Sequence, residues 1–197
     1  MSKTEFSARQ IEIMEAATKR IHQHGIQKLT IKNLAFDLNL SEAALYRHFK
    51  SKDEILFMLL NYFIVDMYDQ VETILNDKEK HPSEYLNKIF VTQLETFVKN
   101  PSIVSILFSE GIFHFNVELQ ELVTGMMEKM HNYISGIISE GQKENYYGKL
   151  LSSGQLATII MGSMRMVVLK WKLSGHNSDI VQNGTKILNG LLKMIEK

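Results

Sequence analysis

"LTIKNLAFDLNLSEAALYRHFKSKDEIL", residues 29–56, carries three helix-capping residues, Thr30, Ser41 and Ser51, each ahead of a run with helical apolar spacing. Thr30 caps a short helix whose apolar residues Ile31, Leu34, Ala35 and Leu38 recur at i, i+3, i+4 and i+7. Asn39–Ser41 makes a tight turn, and Asn39 tolerates the left-handed backbone that such a turn needs. Ser41 caps the next helix. Ser51 and Glu54 form a capping box that opens a long fourth helix running to about Asn76.

The pitch of the third helix sorts its side chains. At about 100° per residue, Phe49 falls about 40° from Leu45 on the inward face, while Ala43 and Arg47 point outward at about 160° and 200°. Ala44 and Lys50 also leave the core, and Tyr46 and His48 flank the outward face on opposite sides. Small residues at the apex allow close approach to a surface, and the long polar side chains beside them reach its walls. The major groove of duplex DNA accepts a helix, has phosphate walls, and presents base edges that Arg reads. Two short helices joined by a tight turn, the second with an exposed polar face, make a helix-turn-helix. Lys50 and Lys52 lie where the third helix hands over to the fourth, whose first backbone N–H groups suit a phosphate.

Outward from this core the chain stays helical. Ser7 and Gln10 cap a first helix with the inward stripe Ile13, Met14, Ala17 and Ile21, stopped by Gly25 in the left-handed region. Helix five begins near Pro82. Helix six has Asn100 as cap and Pro101 in first position. Asn116 caps a seventh helix reaching about Glu140; residues 145–154 form a loop; Ser152 and Gln155 cap helix eight, which ends at 173–175; helix nine covers roughly 179–196. About nine helices result, and strand-like alternation is nearly absent. The fold class expected is all-α.

The chain has 197 residues, 45% of them apolar, enough for a small domain joined to a larger one. Lys and Arg number 22 and Asp and Glu 22, so the distribution of charge matters more than its total. Residues 19–52 hold seven basic side chains, Lys19, Arg20, Lys28, Lys32, Arg47, Lys50 and Lys52, against Asp37 and Glu42 alone. Residues 61–197 hold 13 basic and 15 acidic ones. A basic local module on a near-neutral body points to a polyanion partner for the module only. The absence of Cys excludes disulfides and thiolate metal sites. The N-terminus is polar, without the apolar core of a secretory signal, and ILFMLLNYFIV at 55–65 falls short of the roughly 20 residues needed to span a bilayer. A cytoplasmic protein with no membrane partner is expected.

The quoted stretch resembles the DNA-binding module of the TetR family of bacterial repressors, most specifically in LYRHFKSKDEIL. The resemblance covers roughly the first 60 residues, and chain length and helix count are in keeping with it beyond that. It departs from the common pattern where Ala43-Ala44 replaces Gly-Thr, removing a hydroxyl contact, and where Asn39 replaces the turn Gly. The resemblance implies an N-terminal helix-turn-helix domain at 1–50 and a helical effector-binding and dimerisation domain at 51–197. Expected DNA-binding residues are Thr30, Lys32, Ser41, Glu42, Ala43, Ala44, Tyr46, Arg47, His48, Lys50 and Lys52. Tyr46, His48 and Lys52 are read as phosphate contacts, and Arg47 as a base or phosphate contact. Thr30 is a cap that also bonds a phosphate. Glu42 lies at the helix edge, with cytosine as a second reading.

Helix eight has two apolar faces. Ile160, Met164, Val167, Val168 and Trp171 form one; Ile159, Gly162, Met166 and Leu169 form the other. A helix apolar on two sides is buried on two sides. With helix nine it is expected to build a homodimer interface through Gly162, Met166, Leu169, Leu188, Leu191 and Leu192, as the resemblance implies. Arg165 lies among apolar residues and needs an anion, for which Glu110 is the candidate. Phe63, Met67, Phe108, Phe113, Tyr133 and Trp171, with Glu110 and Arg165, are the candidate lining of an effector pocket; the other reading is ordinary core. No P-loop, HExxH, GxSxG or EF-hand pattern occurs, and the His residues make no metal set, so neither an enzyme nor a cofactor or metal is expected. The function read from the chain is a DNA-binding regulator, a repressor released from a palindromic operator by a small, largely apolar effector. The alternative is a ligand-independent architectural or cell-division regulator of the same fold.

Overall fold

The computed structural model describes residues 6–77, 81–109, 111 and 116–197. Among them are nine α-helices: α1 (Ala8–His24), α2 (Ile31–Asp37), α3 (Glu42–Tyr46), α4 (Lys52–Leu75), α5 (Pro82–Lys99), α6 (Pro101–Leu107), α7 (Val117–Lys143), α8 (Ser153–Leu173) and α9 (Ile180–Ile195). A 3₁₀ turn, Ile26–Lys28, joins α1 to α2. The one β-type pairing described is an isolated bridge between Tyr147 and Glu196. No described helix is long and apolar enough to cross a membrane.

Capping chemistry sets most boundaries. Ser7 and Gln10 form the capping box of α1, Ser152 and Gln155 that of α8, and Asn116 Oδ1 accepts from Leu119 N at 2.9 Å to start α7. Asp179 caps α9 through Gln182 N at 2.8 Å. Two expected caps differ. Asn100 precedes α6 but makes no side-chain cap bond, and Pro101 at the first position presets the helical φ. Gly25 ends α1 with φ +78° but ψ 161°, an extended left-handed-side geometry open to glycine, and its N–H still closes on Ile21 O.

The described chain divides into two compact units. One holds residues up to Tyr68 together with Asn100–Thr124, the other Asp69–Lys99 with Gly125–Lys197. The division falls inside α4, so one continuous helix contributes to both. In the first unit, α1 packs on α2 and α6, and α2 packs on α3. Ile13, Met14, Ala17 and Ile21 of α1 are buried as their spacing requires, with Leu34 and Ala35 of α2. A bidentate ion pair locks α1 to α2: Arg20 Nη2 lies 2.6 Å from Asp37 Oδ1, and Nε donates to Oδ2. Hydrogen bonding to Arg20 holds the Asp37 carboxyl below the ordinary carboxylate range.

In the second unit, α9 lies against α5 and α8. Gly184 makes this possible: a Cβ there would fall 2.4 Å from Leu94 Cδ1 and 3.1 Å from Phe90. The C-terminal end is clasped by the loop before α8. Gly148 N donates to Ile195 O at 2.7 Å, and Lys197 N to Tyr146 O at 3.1 Å. Tyr147, fully buried, bonds Ser83 Oγ at 2.8 Å, and Ser83 donates to Glu196 at 3.0 Å. Burial pushes the Tyr147 phenol up. Its ring fills the space beside Gly141, where a Cβ would lie 2.5 Å from Cδ2.

These glycines generate a paired prediction. Gly141→Ala forces a Cβ into an anchored ring and should lower stability by roughly 1–3 kcal/mol. Gly136→Ala, in the same helix with nothing within 4 Å, should raise it by roughly 0.5–1 kcal/mol through helix propensity. Thermal unfolding of both variants reads the difference; equal shifts would show that Tyr147 is not a fixed wall.

Candidate nucleic-acid interface

The interface is built on α2 and α3. Thr30 Oγ1 caps α2 by accepting from Asn33 N at 3.1 Å, and Ser41 Oγ caps α3 by accepting from Ala44 N at 3.1 Å. Each hydroxyl keeps its own proton for an outside acceptor such as a phosphate. Between the helices Asn39 adopts φ +53°, the left-handed turn expected of it. Its N–H bonds Phe36 O, and Leu40 N bonds Ala35 O at 2.9 Å, so the turn closes directly onto the end of α2.

α3 is regular only over Glu42–Tyr46, with Arg47 as its C-cap. The coil still continues one step, because His48 N and Phe49 N both bond Leu45 O. Leu45 and Phe49 are 0% and 1% exposed, and Tyr46 is 51% exposed. Glu42, Ala43, Arg47 and Lys50 also face solvent, while Ala44 and His48 are half-buried. The outward face is thus centred between Tyr46 and Arg47. His48 lies nearer the core than Tyr46 and is not its mirror on the opposite flank.

Lys32 is exposed on α2, and Lys52 is exposed as the first residue of α4. Ser51 Oγ accepts from Glu54 N at 3.1 Å as expected, but the Glu54 carboxylate takes the Lys50 N–H instead of the Ser51 one. The box is displaced by one residue. A carboxylate therefore already occupies a donor at the head of α4, and the cations there are the side chains of Lys50 and Lys52.

The described candidate pocket residues are divided between the two units. Phe63 and Met67 are buried on α4 and Phe108 is half-buried at the end of α6, all in the first unit. Tyr133 and Trp171 belong to the second. Tyr133 donates to Glu72 Oε1 at 2.7 Å, Lys129 reaches the same oxygen at 3.3 Å, and both hold the Glu72 carboxyl below its ordinary range. Trp171 is buried edge-on against His176, with ring centroids 4.2 Å apart. Arg165 is solvent-exposed on α8 and is not enclosed among apolar side chains. Glu110 and Phe113 lie outside the described residues. No group of three or more His, Asp or Glu among the described residues is arranged to hold a metal ion.

The two faces of α8 separate as its spacing requires. Ile160, Val167, Val168 and Trp171 are buried, whereas Ile159, Gly162 and Met166 are exposed and Leu169 half-buried. On α9 the expectation needs correcting. Leu188 and Leu192 are 0% and 3% exposed, on the face α9 buries within its own unit. The exposed stripe is Ile187, Gly190 and Met194, with Leu191 half-buried beside it. Ile159, Met166 and Leu173 on α8, and Ile187 and Met194 on α9, all recur every seven residues; that spacing was the legible signal. Phe36, 80% exposed on α2, had no such signal.

A helix pair joined by a tight left-handed turn, with a polar, partly basic outer face on the second helix, defines a helix-turn-helix DNA-binding protein. Residues 13–59 match the family described as bacterial regulatory proteins, tetR family, and residues 59–194 match the YsiA-like C-terminal region. The chain belongs to the TetR family of transcriptional regulators. It is 26% identical over 154 residues, 78% of this chain and 77% of the other, to the nucleoid occlusion factor SlmA of Yersinia pseudotuberculosis. Its fold is shared with a transcriptional regulator from Saccharomonospora viridis in complex with choline (22% identity, 98% and 100% covered, TM-score 0.84). It is shared also with FadR from Bacillus subtilis in complex with stearoyl-CoA (20% identity, 92% and 97% covered, TM-score 0.76).

If Lys52 contacts a phosphate, Lys52→Ala should weaken binding to all duplexes and reduce the slope of log K against log salt by about 0.9 per lost contact. Arg47→Ala should relax sequence preference as well as affinity if Arg47 reads a base. Fluorescence anisotropy across a salt series measures both, and an unchanged slope for Lys52→Ala removes its phosphate role.

Proposed function

We propose that the protein is a homodimeric repressor that holds a two-fold symmetric operator and releases it on binding a small, largely apolar effector. The observation that carries the DNA reading is the exposed face of α3, with Ala43 and Arg47 at its apex, Tyr46 beside them, and Lys32, Lys50 and Lys52 on neighbouring segments. Residues 1–50 serve as the DNA-binding domain and 51–197 as the effector and dimer domain. Thr30, Ser41, Tyr46, His48, Lys32 and Lys50 of the first, with Lys52 at the head of α4, hold phosphates, and Arg47 lies along the groove floor.

The dimer is supported by the uncovered seam of α8 and α9. Ile159, Met166, Leu173, Ile187 and Met194 are large apolar side chains left in solvent, and a Cβ at Gly162 or Gly190 would meet nothing within 4 Å. Small residues in an open apolar seam admit a second helix closely. The partner is a second copy of the chain, because one short recognition helix binds weakly and a two-fold dimer presents two. Half-sites then lie about one helical turn, roughly 34–36 Å, or a multiple of it apart.

Effector control fits the C-terminal family match and the ligand complexes of the B. subtilis and S. viridis regulators. Phe63 and Met67 on α4 are the residues we assign to it. α4 begins at the DNA-binding helices and runs on past Tyr68, so a change along it shifts α3, and DNA penalises altered spacing between two α3 helices. The similarity to a nucleoid occlusion factor favours the second reading, a ligand-independent DNA-bound regulator that recruits a protein.

Gly162→Trp should split the dimer and abolish operator binding, since a Cβ there meets nothing within 4 Å in the protomer and a ring built on it would strike a packed partner. Sedimentation velocity reads the first effect; a variant that remains dimeric and bound would refute the assigned seam. Calorimetric titration of stearoyl-CoA and of choline, with and without operator, separates the two functional readings. Linkage requires effector and operator to weaken each other equally, typically about 5–150-fold. Affinities unaltered by operator favour the ligand-independent regulator.

A further inference from the structure

Phe36 is the second-to-last residue of α2 and is 80% exposed. A single apolar side chain in solvent needs no explanation by itself; its position supplies one. At about 100° per residue, Leu34, Ala35 and Leu38 define the buried side of α2, and Phe36 falls on the opposite side with Lys32, one turn earlier. Asp37 is tied to Arg20 of α1, which marks the flank of α2 facing α1. Lys32 and Phe36 are both exposed, on the side of α2 opposite its buried face. Phe36 O itself accepts the Asn39 N–H at 3.2 Å, so this residue forms the elbow that delivers the N-terminal end of α3. The N-terminal residues of a recognition helix are those that meet base edges.

We propose that Phe36 is a specificity-determining residue that packs on a thymine methyl group at the edge of each half-site. The inference rests on α3 entering the major groove. Major-groove thymine presents one apolar group, its C5 methyl, and a phenyl ring is among the side chains that recognise it. The surroundings favour DNA over a protein occupant. Phe36 shares its helix face with Lys32, and the segment that follows carries Arg47, Lys50 and Lys52, all exposed. The contact adds a base preference without adding charge. It also offers recognition where Ala43-Ala44 lacks the hydroxyl of the common Gly-Thr.

The test begins by selecting a preferred site from a random duplex pool with the full-length protein, then replacing each thymine in turn by deoxyuridine, which removes only the methyl. Wild-type protein should lose about fourfold in affinity per half-site at one symmetric thymine position, the worth of one buried methyl group. Phe36→Ala should bind the thymine duplex at least that much more weakly, be indifferent to the same replacement, and keep the wild-type salt slope. Phe36→Leu should restore part of the discrimination. Since the side chain is in solvent, thermal unfolding of Phe36→Ala should match wild type. An enriched site bound equally by wild type and Phe36→Ala overturns the inference alone. So does a loss confined to cooperative binding at adjacent sites, which would make Phe36 a protein contact. A pool that yields no enriched site overturns the groove reading and this inference with it.

Discussion

Burial of Leu45 and Phe49, four residues apart, fixes the rotation of α3 about its own axis. A helix of five residues cannot sustain itself in water, so α3 exists because Ser41 caps it and these two side chains enter the core. Everything offered outward is the complement of that choice. With Leu45 and Phe49 inside, Ala43, Tyr46, Arg47 and Lys50 have no alternative but solvent, and His48 is drawn to half-burial. The left-handed Asn39 then sets where α3 begins relative to α2, and the Arg20–Asp37 pair sets where α2 lies on α1. The outward face of α3 is thus a consequence of packing.

The same logic, with opposite outcome, governs α8 and α9. Both are apolar on more sides than their own unit covers. Gly184 and Gly141 are filled glycines, each pressed by a neighbouring side chain, and they let α9 and the Tyr147 loop close down. Gly162 and Gly190 are open ones, aligned with exposed Ile159, Met166, Ile187 and Met194. The filled glycines lie inside the packing of the unit, and these two open ones lie beside apolar side chains that face solvent.

α4 connects these two kinds of surface through one uninterrupted backbone. Its head is occupied by the Glu54 carboxylate on Lys50 N, which ties the end of the α3 segment to the start of the long helix. Phe63 and Met67 are buried further along, and Glu72 in its last turn is held by Lys129 and Tyr133 of α7. A regulator that responds to a ligand and one that does not would share all of this, which is why binding linkage, and not the fold, separates them.

The helices, their caps and the helix-turn-helix were legible before any tertiary contact was known, because capping residues and 3.6-residue periodicity are local and survive without knowledge of neighbours. Ser7, Thr30, Ser41, Asn116 and Ser152 all cap as their spacing required, and the two faces of α8 were legible from its periodicity. Which stripe of α9 faces inward was not, since Leu188, Leu191, Leu192 and Ile187 are chemically alike and only the approach of α5 at Gly184 chooses among them. Arg165 has apolar sequence neighbours, yet its place on the helix turns it to solvent. Tyr147 read as loop and became the most enclosed aromatic of its unit, through partners at Ser83 and Glu196 that lie far away in the chain. Local signals specify elements; only packing between distant segments decides which of two equivalent faces meets water.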